Sequence, residues 1–507
     1  MFSTVIISRA RPAASAACRG CRVSFAMPLR AKILSQHAPK HRALMSTQSM
    51  AEIFREVPGD EPEDVLFNSL YGLRTIELNR PAQLNSLNGS MARKIAPRLL
   101  EWQKSDMANV IVMKGAGEKA FCAGGDVKAL AQANETGPEG QKRSTDYFAL
   151  EYKLDHLIAT YEKPYVAFMD GITMGGGVGL SVHAPIRIAT ERTLFAMPET
   201  TIGFFPDVGA SFFLPRMAGA TGTYLALTSD RLKGVNVFYS GVATHYLHST
   251  SLPNLESRLA ELRFKDSDPL TRRLEIISST IEEFSTGLPH DQPMQLAGEL
   301  RSAIDRCFSH DNVPAIIKAL EQETKAENST VGQWAEKTIK TLHERSPTAV
   351  HVSLRQMQIG RKWSIAETFR REHQIAAKFM RHHDFTEGVS ALLIRKPRGT
   401  PQWQPPSLEA IKPEDNVSEP FFQESKDTDK LALLNDSDFR EYPNNHLGLP
   451  SEHYVERVVM EGTMSRGEVV KHFIEKKKGK QGVKEVVEEV LSRKTIVNDN
   501  GKAVWQY

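Results

Sequence analysis

Tyr165-Val166-Ala167-Phe168-Met169 runs into Asp170-Gly171-Ile172-Thr173-Met174-Gly175-Gly176-Gly177-Val178-Gly179, and this passage decides the fold. Five consecutive apolar residues read as a strand buried on both faces. The glycines then mark a turn, and a helical pattern follows. A second passage repeats the order. Val110-Ile111-Val112-Met113 reads as a strand, and Phe121-Cys122-Ala123-Gly124-Gly125-Asp126 leads into a helical run from Val127 to Ala131. Strand, glycine turn, helix and strand again is the pattern of an α/β domain whose loops collect at one edge of a sheet. Ile186-Arg187-Ile188-Ala189 and Thr193-Leu194-Phe195-Ala196 add shorter strands to a block running from about Val65 to Leu259.

The two turns carry a chemical possibility. Glycine permits positive φ and lets the backbone approach a ligand with no β-carbon in the way. At a helix start, free N–H groups point outward and carry partial positive charge. Two such turns can aim two N–H donors at one oxygen, forming an oxyanion hole. Taken singly, each turn also fits tight helix–sheet packing, and Asp126 fits a helix cap. Neither turn has the spacing of a phosphate-binding or dinucleotide-binding loop.

Carboxylates follow: Met197-Pro198-Glu199, then Gly203-Phe204-Phe205-Pro206-Asp207. Each acid comes directly after a proline and sits among apolar residues. Burial there raises a carboxyl pKa and suits it to acid–base work. Proline followed by an acid also opens helices, so the pattern alone leaves both readings open.

The ordered set Cys122-Ala123-Gly124-Gly125-Asp126, Gly171 to Gly177, Met197-Pro198-Glu199 and Phe205-Pro206-Asp207-Val208-Gly209 resembles the crotonase superfamily. Within it, the match is to the 3-hydroxyisobutyryl-CoA hydrolase family. Arg80-Pro81, Leu84-Asn85-Ser86-Leu87, Leu232-Lys233-Gly234 and His383-Asp384-Phe385 with Glu387-Gly388-Val389 extend the similarity over roughly Leu66 to Pro406. The resemblance implies a crotonase-type (ClpP/crotonase) spiral of ββα units over residues 62–262, followed by a helical part over 266–395, within a catalytic domain of 62–415. It implies that the Gly125 and Gly176 N–H groups bind a thioester oxygen. Glu199 would attack the carbonyl or activate water, and Asp207 would assist proton transfer and hold the substrate hydroxyl. Glu151 would make a further substrate contact, although by itself it reads like any helix-surface glutamate. No metal or redox cofactor is expected, coenzyme A being part of the substrate. Superfamily relatives form trimers or hexamers, which makes a homo-oligomer one expectation. Enoyl-CoA hydratases carry a second catalytic glutamate shortly after the second glycine cluster. Gly179 stands there in this chain, which argues against a hydratase or isomerase.

The remaining chain frames this domain. The composition, 40% hydrophobic and 25% charged over 507 residues, is that of a globular protein. The net charge of +3 is unevenly spread: eight Lys and Arg precede the first acid, Glu52. Without them 56 Lys+Arg face 61 Asp+Glu, a charge of about −5, which gives no footing for a broad nucleic-acid surface. Residues 1–48, rich in Arg and Ser and free of acids, read as a transit peptide to the mitochondrial matrix. Cys18 and Cys21 lie within it with no second ligand pair, so zinc is not supported. No run of 18–20 apolar residues suggests a membrane span.

Residues 266–394 show helical periodicity, and 416–450 read as a polar linker. Residues 451–507 read as a helical extension. Ser465-Arg466-Gly467-Glu468 has capping-box spacing, and Val483, Val486, Val487, Val490 and Leu491 share one helix face. The run Lys476-Lys477-Lys478-Gly479-Lys480 reads as a solvated turn or as a contact for an acidic partner such as RNA. Relatives of this hydrolase family serve in the mitochondrial small ribosomal subunit, so association there through the extension is a second expectation. Two weaker constellations are Ser181 with His183, and His382-His383-Asp384. Neither has the spacing of a hydrolytic triad or a metal site.

Overall fold

In the computed structural model, which describes residues 53–506 apart from 426 and 427, the apolar runs become strands of two sheets. The segment 1–48 and its Cys18 and Cys21 lie outside the described residues. One sheet orders β1 (Val65–Leu70), β2 (Leu73–Leu78), β3 (Val110–Gly115), β5 (Tyr165–Met169), β7 (Ile186–Ala189) and β10 (His245–Tyr246). The other orders β4 (Ala120–Cys122), β6 (Ile172–Met174), β8 (Leu194–Ala196) and β9 (Leu232–Lys233). From β2 to β10 every neighbouring pair in the first sheet is parallel. Parallel strands covered on both faces need apolar residues throughout, and β5 is buried at all five positions.

Each repeat gives one strand to each sheet and then a helix, the arrangement expected from the sequence. β3 and β4 lead to α2 (Val127–Asn134), and β5 and β6 lead to α4 (Gly176–Val182). Before them, α1 (Gly89–Lys104) begins where the Asn88 side chain accepts from the Met91 N–H, and it buries Met91, Ile95, Leu99 and Trp102. Between them, α3 (Pro138–Ala159) buries Phe148, Glu151, Tyr152, Leu154 and Asp155.

The helical part contains seven helices between Leu270 and Val389. Helix Ile365–Phe379 packs along α3 and brings Phe369 and Phe379 onto the Tyr152 and Phe205 rings. Helix His383–Val389 sits under the turn between Glu199 and Asp207. A β-carbon on Gly203, where φ is +74°, would lie 2.2 Å from the Asp384 carbonyl oxygen.

One expectation needs correction. Residues 416–450 are not a free linker: Phe421, Leu431 and Leu433 are buried in the main core, and Phe439 and Tyr442 pack against it. Their polar neighbours mask these anchors in the sequence. The extension is helical, as expected, and closes with a short pair of strands. After helices Glu452–Met460, Arg466–Lys476 and Val483–Lys494 comes an antiparallel hairpin, β11 (Thr495–Val497) with β12 (Ala503–Trp505). The Ser465–Glu468 capping box is present, and the five apolar residues of the last helix are buried.

Two lysines of the 476–480 run are used internally. Lys480 is buried and pairs with Glu282 at 2.5 Å, and Lys477 donates to the Gly448 carbonyl at 2.8 Å. A contact with RNA therefore loses two of its four cations. Gln481 donates to the Tyr246 carbonyl at 2.6 Å, which completes the docking of the extension.

Gly203→Ala forces both a β-carbon into the Asp384 carbonyl and an L-residue into the left-handed region. It should cost about 2–4 kcal/mol of stability by urea unfolding. An unchanged midpoint would remove this contact from the account.

Candidate active site

The two glycine turns lie against each other. β4 and β6 pair in parallel, so the turns that follow them leave the sheet side by side. The first is held by Leu87, whose N–H donates to the Gly124 carbonyl at 2.8 Å and whose carbonyl accepts from the Asp126 N–H at 2.9 Å. A β-carbon on Gly175 would lie 3.3 Å from the Gly124 Cα, and one on Gly176 would lie 3.4 Å from the Gly125 nitrogen. Gly124 and Gly175 both have positive φ, +114° and +46°. Among the described residues, neither the Gly125 nor the Gly176 N–H donates to a protein acceptor. The close approach of the two turns thus brings two donors without a protein acceptor near each other. Asp126 does not cap α2; its carboxylate lies 3.4 Å from the Arg80 guanidinium.

Acids surround this point. Glu199 opens a short 3-10 helix directly after Pro198 and is buried. One of its oxygens would lie 3.3 Å from a β-carbon on Gly175, and the other has no hydrogen-bond partner. Glu151, on α3, is buried, with an unpartnered oxygen 2.5 Å from where a Gly176 β-carbon would be. Asp207 is buried and accepts the Tyr152 hydroxyl at 2.6 Å. Burial pushes Glu199 well above the usual carboxylate range, and the nearby Asp207 adds to it. The same two causes raise Glu151. Burial lifts Asp207 to about 7, with the Tyr152 hydroxyl pulling the other way. Acids this close and this dry cannot all ionise, so at neutral pH some hold protons and can donate them. The expected five residues, Gly125, Gly176, Glu151, Glu199 and Asp207, converge on one place.

A cavity of about 680 Å³ is lined by Met174 and Pro198 together with Trp334, Lys337 and Arg345. Met174 precedes the second glycine turn, and Pro198 precedes Glu199.

Three buried groups at the site carried no sequence signal of their own. Tyr152 holds Asp207. Asp155, one helical turn beyond Glu151, is fully buried with both oxygens unpartnered, and they sit 2.6 and 2.8 Å from where a Gly179 β-carbon would be. Glu372 accepts the Gly209 N–H at 2.7 Å from the helical part. The i, i+4 spacing from Glu151 is the one pattern that could have singled out Asp155, and nothing comparable marks Tyr152 or Glu372.

The weaker constellations are structural. Ser181 donates to the Gly177 carbonyl at 2.7 Å, while His183 bonds the Val208 carbonyl and the Tyr442 hydroxyl. Asp384 accepts from Ser346 and from the Gln404 N–H. Among the described residues no group of three or more His, Cys, Asp or Glu could hold a metal ion, and no helix is long and apolar enough to cross a membrane.

Residues 73–422 match the family described as Enoyl-CoA hydratase/isomerase. The chain is 60% identical over 499 residues to the small ribosomal subunit protein mS47 of Neurospora crassa, covering 98% of this chain and 97% of that protein. It is 44% identical over 348 residues to the mitochondrial 3-hydroxyisobutyryl-CoA hydrolase of Danio rerio, covering 69% of this chain and 87% of that one. Among solved structures, a carnitinyl-CoA dehydratase from Mycobacterium thermoresistibile superposes with a TM-score of 0.62 at 33% identity, over 73% of this chain and 98% of its own.

Burial makes the Asp207 carboxyl a pH-dependent cost to the fold. From its ordinary value of 3.8 up to about 7, the native state keeps a proton that the unfolded chain has lost, so stability falls as pH rises through that window. Asp207→Asn should therefore melt higher than wild type at pH 8, with the gap closing toward pH 4. An equal gap at both ends would contradict the burial account.

Proposed function

The chain belongs to the enoyl-CoA hydratase/isomerase family, and from that premise we propose that it hydrolyses 3-hydroxyisobutyryl-CoA to 3-hydroxyisobutyrate and coenzyme A in mitochondria, as a step of valine breakdown. The observation that carries this reading is the pairing of two unengaged N–H donors, on Gly125 and Gly176, with the buried Glu199 carboxyl beside the second glycine turn. The similarity to hydrolases of that name supports the substrate.

The thioester oxygen binds between the two amides. As the carbonyl carbon is attacked, its electron pair moves onto that oxygen, and the donors stabilise charge that the ground state lacks. Losing one such donor costs roughly 10²–10³ in turnover. Glu199 draws a proton from the attacking water, or attacks the carbonyl itself, in which case water cleaves the resulting anhydride after the thiol has left and restores the Glu199 carboxyl. The tetrahedral centre then collapses, the C–S bond breaks, and the departing sulfur takes a proton from an acid of the cluster. Asp207, held to about 7, has the proton affinity for that exchange at neutral pH, and its position beside Tyr152 suits it to a substrate hydroxyl. Glu151, pushed up by burial and by Asp207, serves as a neutral hydrogen-bonding group. Hydration by the two-glutamate route has no support: Gly179 offers no side chain, and the Asp155 carboxyl fills the space in front of it.

A second reading is a component of the small subunit of the mitochondrial ribosome. One observation favours it. The alignment with the Neurospora protein must include the folded extension, which the family match, ending at residue 422, does not reach. The intact acid cluster is compatible with both roles.

Purified protein with 3-hydroxyisobutyryl-CoA and a thiol-reactive dye should release coenzyme A, and Glu199→Gln should slow release by roughly 10²–10⁴. Equal rates for the two proteins would sink the hydrolase reading. For the second reading, the protein should co-sediment with salt-washed mitochondrial small subunits and lose that association when residues 451–507 are deleted. Its absence from such particles would remove the ribosomal role.

A further inference from the structure

Asp207 stands at the head of a turn held in a conformation its residues resist. Val208 has φ of +54° and Gly209 has φ of +86°. A β-branched residue in the left-handed region is an outlier, and such a conformation persists only where its surroundings over-determine it. Here they do, from three directions.

Glu372, fully buried on helix Ile365–Phe379, spans the turn with both oxygens. One accepts the Gly209 N–H at 2.7 Å; the other accepts the Ser211 N–H at 2.9 Å and the Ser211 hydroxyl at 2.7 Å. Gln356, on helix Pro347–Gly360, donates to the Pro206 carbonyl on the near side of Asp207. His183 meets the Val208 carbonyl at 2.8 Å through Nε2, and its Nδ1 lies 2.8 Å from the Tyr442 hydroxyl. Burial pushes the His183 imidazole down to about 4, so at neutral pH it carries one proton. A carbonyl can only accept, so that proton is on Nε2, and Nδ1 accepts from Tyr442. The packing is close: a β-carbon on Gly209 would lie 2.3 Å from His183 Nε2.

We propose that Glu372 and the Tyr442–His183 pair are positioning residues, which hold the Val208–Gly209 turn in its left-handed form and so aim the Asp207 carboxylate at Tyr152 and the acid cluster. Glu372 brings the helical part into the site. Tyr442 lies beyond residue 422, where the family match ends, so the strap 416–450 reaches the catalytic turn through two hydrogen bonds. The kinetic side of this inference rests on the hydrolase reading.

Glu372→Gln keeps the shape but forces an amide NH₂ against either the Gly209 N–H or the Ser211 donors. With 3-hydroxyisobutyryl-CoA, kcat should fall roughly 10- to 100-fold, the scale of a reacting group displaced by about 1 Å, while KM rises by a smaller factor. Tyr442→Phe leaves His183 Nδ1 without its donor and should lower kcat roughly 3- to 10-fold in the same way. In crystals of either variant, Val208 should leave the left-handed region and Asp207 should lose the Tyr152 hydroxyl. Unchanged kcat together with an unchanged turn in a folded variant overturns the proposal; should Glu372→Gln not fold, Tyr442→Phe decides it. If wild type releases no coenzyme A, the hydrolase reading fails by itself, and the turn in the variant crystals still decides this one.

Discussion

Where the turn after β4 meets the turn after β6, the backbones approach so closely that a β-carbon on Gly175 would touch the Gly124 Cα. Much else follows from that contact. It brings the Gly125 and Gly176 amides together and leaves them unpaired, because the chain is already leaving the sheet for α2 and α4. It requires β4 and β6 to be neighbours, which the spiral of ββα units secures by sending one strand of each repeat to each sheet. It also leaves Gly176 and Gly179 facing α3 without side chains, and the space is taken by the carboxyls of Glu151 and Asp155. Glycine here makes room for charge as well as for backbone.

Those carboxyls are costly to bury. Glu151, Asp155 and Glu199 each keep at least one oxygen with no partner, and burial raises the pKa of all three. A fold selected for stability alone would pair or replace them. Their retention beside two unpaired amides fits a site that trades stability for proton traffic. The helical part closes the arrangement. Phe369, Phe379 and Phe385 pack on the Tyr152, Phe204 and Phe205 rings, while Glu372 and Gln356 grip the turn that carries Asp207.

Much of this was legible in the sequence, and the failures have physical causes. β3 and β5 announced themselves because strands covered on both faces must be continuously apolar, and β7 and β8 read as shorter strands in the same block. Glu199 and Asp207 stood out as acids behind prolines in apolar surroundings. Glu151 did not, because α3 carries charges on several faces and only tertiary packing decides which are dry. Glu372 was hidden for the same reason: it lies more than 160 residues from Gly209 in sequence and touches it only after the helical part folds back. The strap failed differently. Phe421, Leu431, Leu433, Phe439 and Tyr442 are too widely spaced to show periodicity, yet each finds the core. The lysine run looked like one basic patch, although Lys477 and Lys480 turn inward to the Gly448 carbonyl and Glu282.

The reading of the acid cluster depends on whether the glycine turns grip a carbonyl. A crystal structure with a non-hydrolysable ketone analogue of 3-hydroxyisobutyryl-CoA, in which CH2 replaces the thioester sulfur, addresses that directly. The account requires the analogue's carbonyl oxygen to lie 2.7–3.1 Å from both the Gly125 and Gly176 nitrogens, with the carbonyl carbon facing Glu199. An analogue bound with its carbonyl away from those two amides, or with Glu199 turned from it, would contradict it.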